Sequence, residues 1–156
     1  MSNQKSVYDI AELPVRTGSG YPKPYDNEVK GRSNVALGNP FGLTQFGVNI
    51  TTLEPGAWSS QRHWHENEDE LVYALEGEML IVDDNGRHSF RPGQCAGFKS
   101  GDGNGHHIIN ESNKTAKFLV VGTRSKNAIG YYSDIDMKFV EDEKGVRFVH
   151  KDGSVF

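Results

Sequence analysis

Apolar residues fall in short runs along this chain, divided by glycine, proline, asparagine and aspartate. That punctuation belongs to short strands and tight turns rather than to long helices. From Gly42 onward it predicts eight strands, over residues 43–53, 58–65, 71–75, 79–82, 88–90, 95–98, 106–110 and 116–122. Pro55-Gly56, Glu76-Gly77, Asp83-Asp84-Asn85-Gly86 and Pro92-Gly93 close successive strands, and Asn85-Gly86 is a hairpin signal because both residues tolerate positive φ. This spacing suits a β-sandwich or jelly roll and not a βαβ fold. Before Gly42, prolines and glycines interrupt the chain too often for a helix or a long strand. Residues 1–41 therefore read as an irregular arm, anchored on the domain by Tyr8, Ile10, Leu13, Tyr21 and Tyr25. Residues 125–156 read as a tail whose segments 137–140 and 146–150 form a hairpin around Glu141-Asp142-Glu143-Lys144-Gly145.

Two strands depart from simple alternation. Residues 71–75 (Leu-Val-Tyr-Ala-Leu) and 118–121 (Phe-Leu-Val-Val) are apolar at every position, which predicts burial of both faces. One face meets the interior. The other needs the arm, the tail or a second subunit as cover, and a homodimer is the expectation.

Composition narrows the class. A chain of 156 residues makes one domain. Its 18 glycines exceed the usual share of about 7% and agree with many turns. A net charge of −4 leaves no basic excess for nucleic acid. No apolar stretch approaches the ~18 residues of a membrane span, and the polar start carries no secretory signal. The single cysteine, Cys95, forbids an internal disulfide and reads as an inert buried thiol, so a cytoplasmic setting is expected.

The chemistry concentrates around His63-Trp64-His65. Residues i and i+2 of a strand share a face, so the two imidazoles project together at a spacing suited to one metal ion. Glu70 follows five residues later; a turn through Glu66-Asn67-Glu68-Asp69 would reset the parity and bring it to the same pocket. A third imidazole could come from His106, on another strand. Three histidines and a carboxylate suit a divalent transition metal, whether Fe, Mn, Ni, Co or Zn. Asp69 competes with Glu70, and His107 with His106. On strand parity Gln61, Val72 and Ala74 share the pocket face, with Gln61 the candidate for binding substrate. His88 and His150 read as surface or turn residues, and Asp83-Asp84 as part of a hairpin.

These residues form a pattern. Gly56…His63-x-His65-x4-Glu70-x6-Gly77 resembles the first cupin motif, and Gly86-x5-Pro92 with Gly101…His106-x3-Asn110 resembles the second. The resemblance implies an all-β cupin-type double-stranded β-helix, a jelly-roll barrel over 42–124. It carries the irregular N-terminal arm (1–41) and the tail with its short C-terminal hairpin (125–156). It also implies that His63, His65, Glu70 and His106 hold the metal, and it selects Glu70 over Asp69 and His106 over His107 by their spacing to Gly77 and Asn110. The loop 101–105 is longer than the motif usually has. Gly18-Ser19-Gly20-Tyr21-Pro22 and Tyr132-Ser133-Asp134-Ile135-Asp136 extend the likeness to a group of single-domain bacterial cupins, some labelled sugar-phosphate isomerases. The expected function is a metal-binding cupin acting on, or binding, a small polar metabolite in the barrel pocket, as an isomerase or an oxygenase. The alternative is a non-catalytic small-molecule sensor or binding protein.

Overall fold

A computed structural model describes residues 5–156. Thirteen strands are present among them, in chain order β1 (Val15–Thr17), β2 (Arg32–Ala36), β3 (Phe46–Leu53), β4 (His63–His65), β5 (Glu70–Glu76), β6 (Met79–Asp83) and β7 (Gly86–Phe90). They continue as β8 (Cys95–Phe98), β9 (His107–Ile109), β10 (Ala116–Thr123), β11 (Ile129–Tyr132), β12 (Lys138–Asp142) and β13 (Gly145–Val149). All pairings are antiparallel. A six-stranded sheet runs β1-β2-β3-β10-β5-β8, a four-stranded sheet β13-β12-β11-β4, and a three-stranded sheet β7-β6-β9. The architecture is the expected all-β jelly roll. No described helix is long and apolar enough to cross a membrane.

The core lies inside the barrel. Leu53, Val72, Ala74, Met79, Ile81, Phe90, Ile108, Ala116 and Phe118 form one buried cluster contributed by the six-stranded and three-stranded sheets. β5 shows the period of two that positions it. Val72 and Ala74 are buried, whereas Leu71, Tyr73 and Leu75 stay 45%, 40% and 42% exposed. Its outer apolar face is therefore not covered by the arm or the tail.

Several local features differ from the sequence reading. The arm is more regular than its glycines and prolines suggest: β2 pairs with β3 over five residues, and β1 extends the sheet edge. The predicted strand over 58–65 shrinks to β4, with bends through residues 59–62 and an isolated bridge from Trp58 to Ile109. The tail contains β11 as well as the expected hairpin, and β11 pairs directly with β4. The β6–β7 turn falls where expected, but Asp84-Asn85 form its loop and only Gly86 has positive φ, at 122°. Cys95 is exposed rather than buried, because it points outward from the edge strand β8. Gly77, with φ of 76°, joins β5 to β6 where an added Cβ would lie 2.9 Å from the Thr115 carbonyl oxygen.

Candidate metal centre

β4 is short, but its geometry sets the site. His63 and His65 project from one face, with their Nε2 atoms 3.1 Å apart. The chain then turns, and β5 begins at Glu70. One carboxylate oxygen of Glu70 lies 3.1 Å from His106 Nε2, and the other lies 3.7 Å from His65 Nε2. His106 is joined to His63 by two backbone hydrogen bonds: His106 N–H to the His63 carbonyl at 2.8 Å, and His63 N–H to the His106 carbonyl at 3.1 Å. The ring of Phe98 stacks on that of His106. The structure thus brings His63, His65, Glu70 and His106 together. All four line a cavity of about 250 Å³, shared with Tyr21, Arg32, Thr51, Ser59, Ser60, Ile108, Phe118 and Val120.

The two rivals lie elsewhere. His107 turns to the opposite side of the strand, where its Nδ1–H donates to the Ser60 carbonyl at 3.1 Å and Trp58 packs edge-on against its ring. Asp69 is at the surface and accepts a hydrogen bond from the Ser100 N–H, which holds its carboxyl below the usual range. The expected pocket role of Gln61 is not what the structure places there. Its amide donates to the Tyr25 carbonyl and to Glu28, both at 3.0 Å, so it ties down the arm and is absent from the cavity wall. Strand parity fails because residues 59–62 are bent, not extended. Val72 and Ala74 belong to the packed core instead of lining the cavity.

Protonation follows from the surroundings. Burial, with His106 and His65 alongside, pushes the His63 imidazole down to about 3, so it is neutral. His63 Nδ1 lies 3.0 Å from the Gln61 carbonyl, an acceptor only, so Nδ1 carries the proton and Nε2 presents its lone pair to the cluster. For Glu70, burial acts upward, but the hydrogen bond to His106 and the nearby His63 and His65 outweigh it, and the carboxyl titrates below its ordinary range. Glu68 approaches His65 Nδ1 at 3.4 Å, the kind of outer contact that orients a ligating imidazole.

The donor set suits a borderline divalent cation. Two donors at right angles on an ion with bonds of about 2.1 Å lie about 3 Å apart, close to the 3.1 Å contacts here. Among the described residues, however, no group of three or more such side chains is already spaced as a complete ion cage. The four donors lean on one another instead.

The elements behind the site come from the tail. Arg62 donates to both oxygens of Asp134, at 2.9 and 2.7 Å, and to the Gly105 carbonyl at 3.2 Å, and it also pairs with Asp84. Gly105 immediately precedes His106. Sequence reasoning did not assign Tyr21, Arg32 or Arg62 to the site. Tyr21 stands in the arm motif Gly18-Ser19-Gly20-Tyr21-Pro22, whereas Arg32 and Arg62 have no local signature.

The comparisons bear on this geometry. The sequence profile of the family described as "Cupin domain" matches residues 49–122. A solved structure from Silicibacter pomeroyi, described as a sugar phosphate isomerase from a cupin superfamily, is 47% identical with a TM-score of 0.92; the match covers 95% of this chain and 94% of that one. This chain belongs to the cupin superfamily. A putative sugar phosphate isomerase from Acidithiobacillus ferrooxidans is 28% identical over 78% of this cupin and 77% of that chain, with a TM-score of 0.72. A polyketide cyclase from Streptomyces resistomycificus, 22% identical over 76% and 79% of the two chains at a TM-score of 0.63, shares the fold alone. No curated protein matches.

Proposed function

We propose that this cupin is a metal-dependent enzyme that isomerises a small polyhydroxylated substrate of the sugar type. The observation that carries the reading is the convergence of His63, His65, Glu70 and His106 on a small cavity of mixed polar and apolar lining. A divalent ion held by these residues would supply Lewis-acid polarisation of a substrate carbonyl or hydroxyl. The remaining wall suits hydroxyl groups. Ser59 Oγ accepts the Ile108 N–H at 2.9 Å, which leaves its own proton for a ligand. Thr51 Oγ1 donates to Asn34 at 2.7 Å, which leaves its lone pairs free to accept. Ile108, Phe118 and Val120 supply the apolar floor. The Silicibacter pomeroyi protein, by its description and its 47% identity, points to the same reaction class.

The test is to incubate metal-reconstituted protein with a panel of aldose and ketose phosphates in deuterated water and follow the products by proton NMR. Isomerisation with label at the carbon beside the carbonyl, lost in His63→Ala, is expected. No turnover of any member, with metal bound, would overturn the reaction class.

The reading extends to assembly. The apolar outer face of β5, continued by Leu119 and Val121 of β10 and by Phe46, meets a second copy of the chain in a homodimer. What supports this is an apolar sheet face whose Leu71, Tyr73 and Leu75 are at least 40% exposed. A reducing, cytoplasmic setting suits the exposed free thiol of Cys95 on the same sheet.

A further inference from the structure

The cavity contains a charged group that the four donors do not use. Arg32, on β2, lines it beside Tyr21. Its Nη1 donates to the Ser59 carbonyl at 2.6 Å and its Nη2 to the Gly18 carbonyl at 3.1 Å, which fixes the guanidinium plane. Its Nε is buried and has no hydrogen-bond partner among the described residues, and no ion pair there involves Arg32. A buried donor without an acceptor is costly, and more so when it belongs to a cation.

Tyr21 adds a second donor. Its phenol oxygen accepts the Tyr132 O–H at 3.2 Å, so its own proton is free for another acceptor. Burial keeps that proton in place by pushing the phenol up, against the pull of Tyr132 and the Arg32 charge. The electrostatic balance points the same way. A divalent ion held by neutral imidazoles and one carboxylate, with Arg32 lining the same cavity, leaves the cavity net positive.

We propose that Arg32 Nε and the Tyr21 hydroxyl form an oxyanion subsite, so that the substrate carries a phosphate or carboxylate group beside the part that meets the four donors. Arg is suited to this because its fixed N–H directions match an oxyanion and it stays charged at every working pH. One N–H of each Nη is committed to a carbonyl, so Nε–H and the remaining Nη N–H donors are left for the oxyanion, with the phenol as a further contact. The proposal rests on this cavity being the substrate site and requires no metal for its test.

The experiment uses full-length, metal-free protein with its arginine Nε–H resonances assigned through bonds. Inorganic phosphate and acetate are titrated separately. A saturable shift of the Arg32 Nε–H with phosphate assigns a phosphate monoester, and one with acetate assigns a carboxylate. Calorimetry should then show binding weakened at least tenfold in Arg32→Met and several-fold in Tyr21→Phe, while their melting temperatures stay near that of the wild type. An unmoved Arg32 resonance with both anions overturns the subsite, as does undiminished binding by Arg32→Met. If Arg32→Met fails to fold, because Gly18 and Ser59 lose their tie, the wild-type resonance decides alone. Absence of metal together with an intact anion shift would count against the proposed metal chemistry and not against the subsite.

Discussion

Replacing Gly105 with alanine tests how the tail controls the candidate metal centre. An added Cβ would lie 1.9 Å from Ser133 Oγ, 3.0 Å from Ser133 Cβ and 3.6 Å from Arg62 Cγ. The hydroxyl can rotate away from the closest contact. The Cβ cannot, because the Ser133 N–H is held to the Arg62 carbonyl at 2.9 Å. Overpacking of this kind costs roughly 1–3 kcal/mol, and escape of the hydroxyl puts the expected value near the lower end, about 1–2 kcal/mol. For a domain of this size that lowers Tm by about 2–8 °C. Gly105 has no positive φ, so backbone strain adds nothing. The strain passes to His106, the next residue, and through its two backbone hydrogen bonds to His63. Metal affinity should therefore fall about tenfold, the lower end of what loss of an outer contact costs a metal site. The assay is a double-mutant cycle by thermal melting and metal titration with Ser133→Gly, which removes both obstructing atoms. The double variant should recover most of the stability and affinity lost in Gly105→Ala. Unchanged melting and affinity in Gly105→Ala, or no recovery in the double variant, would refute the idea that Ser133 braces the loop before His106.

Other consequences can be checked separately. Gly77→Ala should destabilise by more than Gly105→Ala, since a left-handed backbone at φ 76° adds about 1–2 kcal/mol to a contact with backbone atoms; equal melting temperatures would contradict this. Sedimentation of the wild type at micromolar concentration should give a dimer and Tyr73→Glu a monomer, whereas a wild-type monomer would leave the outer face of β5 without a partner. In metal-free protein, stability should fall as pH drops. His63 has a folded-state pKa of about 3 against 6.5 unfolded, so the unfolded chain binds the extra proton between those values. Buried His107, also shifted down, acts in the same direction. The full contribution is present above pH 6.5 and declines below it, by up to about 1.4 kcal/mol per pH unit per group. Melting temperatures that stay flat from pH 6.5 to 4.5 would contradict the neutral, buried assignment.

The sequence exposed the strand grammar and the donor cluster for a physical reason. Side chains two apart on a strand share a face, which paired His63 with His65, whereas Glu70 and His106 joined them through the cupin resemblance and its spacing to Gly77 and Asn110. Parity put His106 and His107 on opposite faces, and the motif's spacing to Asn110 chose between them. The same rule misplaced Gln61 because residues 59–62 bend, and a bend erases parity. Val72 and Ala74 obey it yet serve the core, since the rule gives the face and not the depth along the barrel. Arg32, Tyr21 and Arg62 could not be read locally. Their roles depend on contacts across long stretches of chain, such as Tyr132 with Tyr21 and Asp134 with Arg62, which no local pattern encodes.

The central claim is that the four convergent side chains hold a transition metal. The most direct test is elemental mass spectrometry of protein purified without chelator or nickel resin, beside His63→Ala and Glu70→Ala. The account predicts a near-stoichiometric divalent transition metal in the wild type, lost or greatly reduced in both variants while their folds persist. A wild type that takes up no such metal even on reconstitution, or variants that retain it fully, would contradict the account.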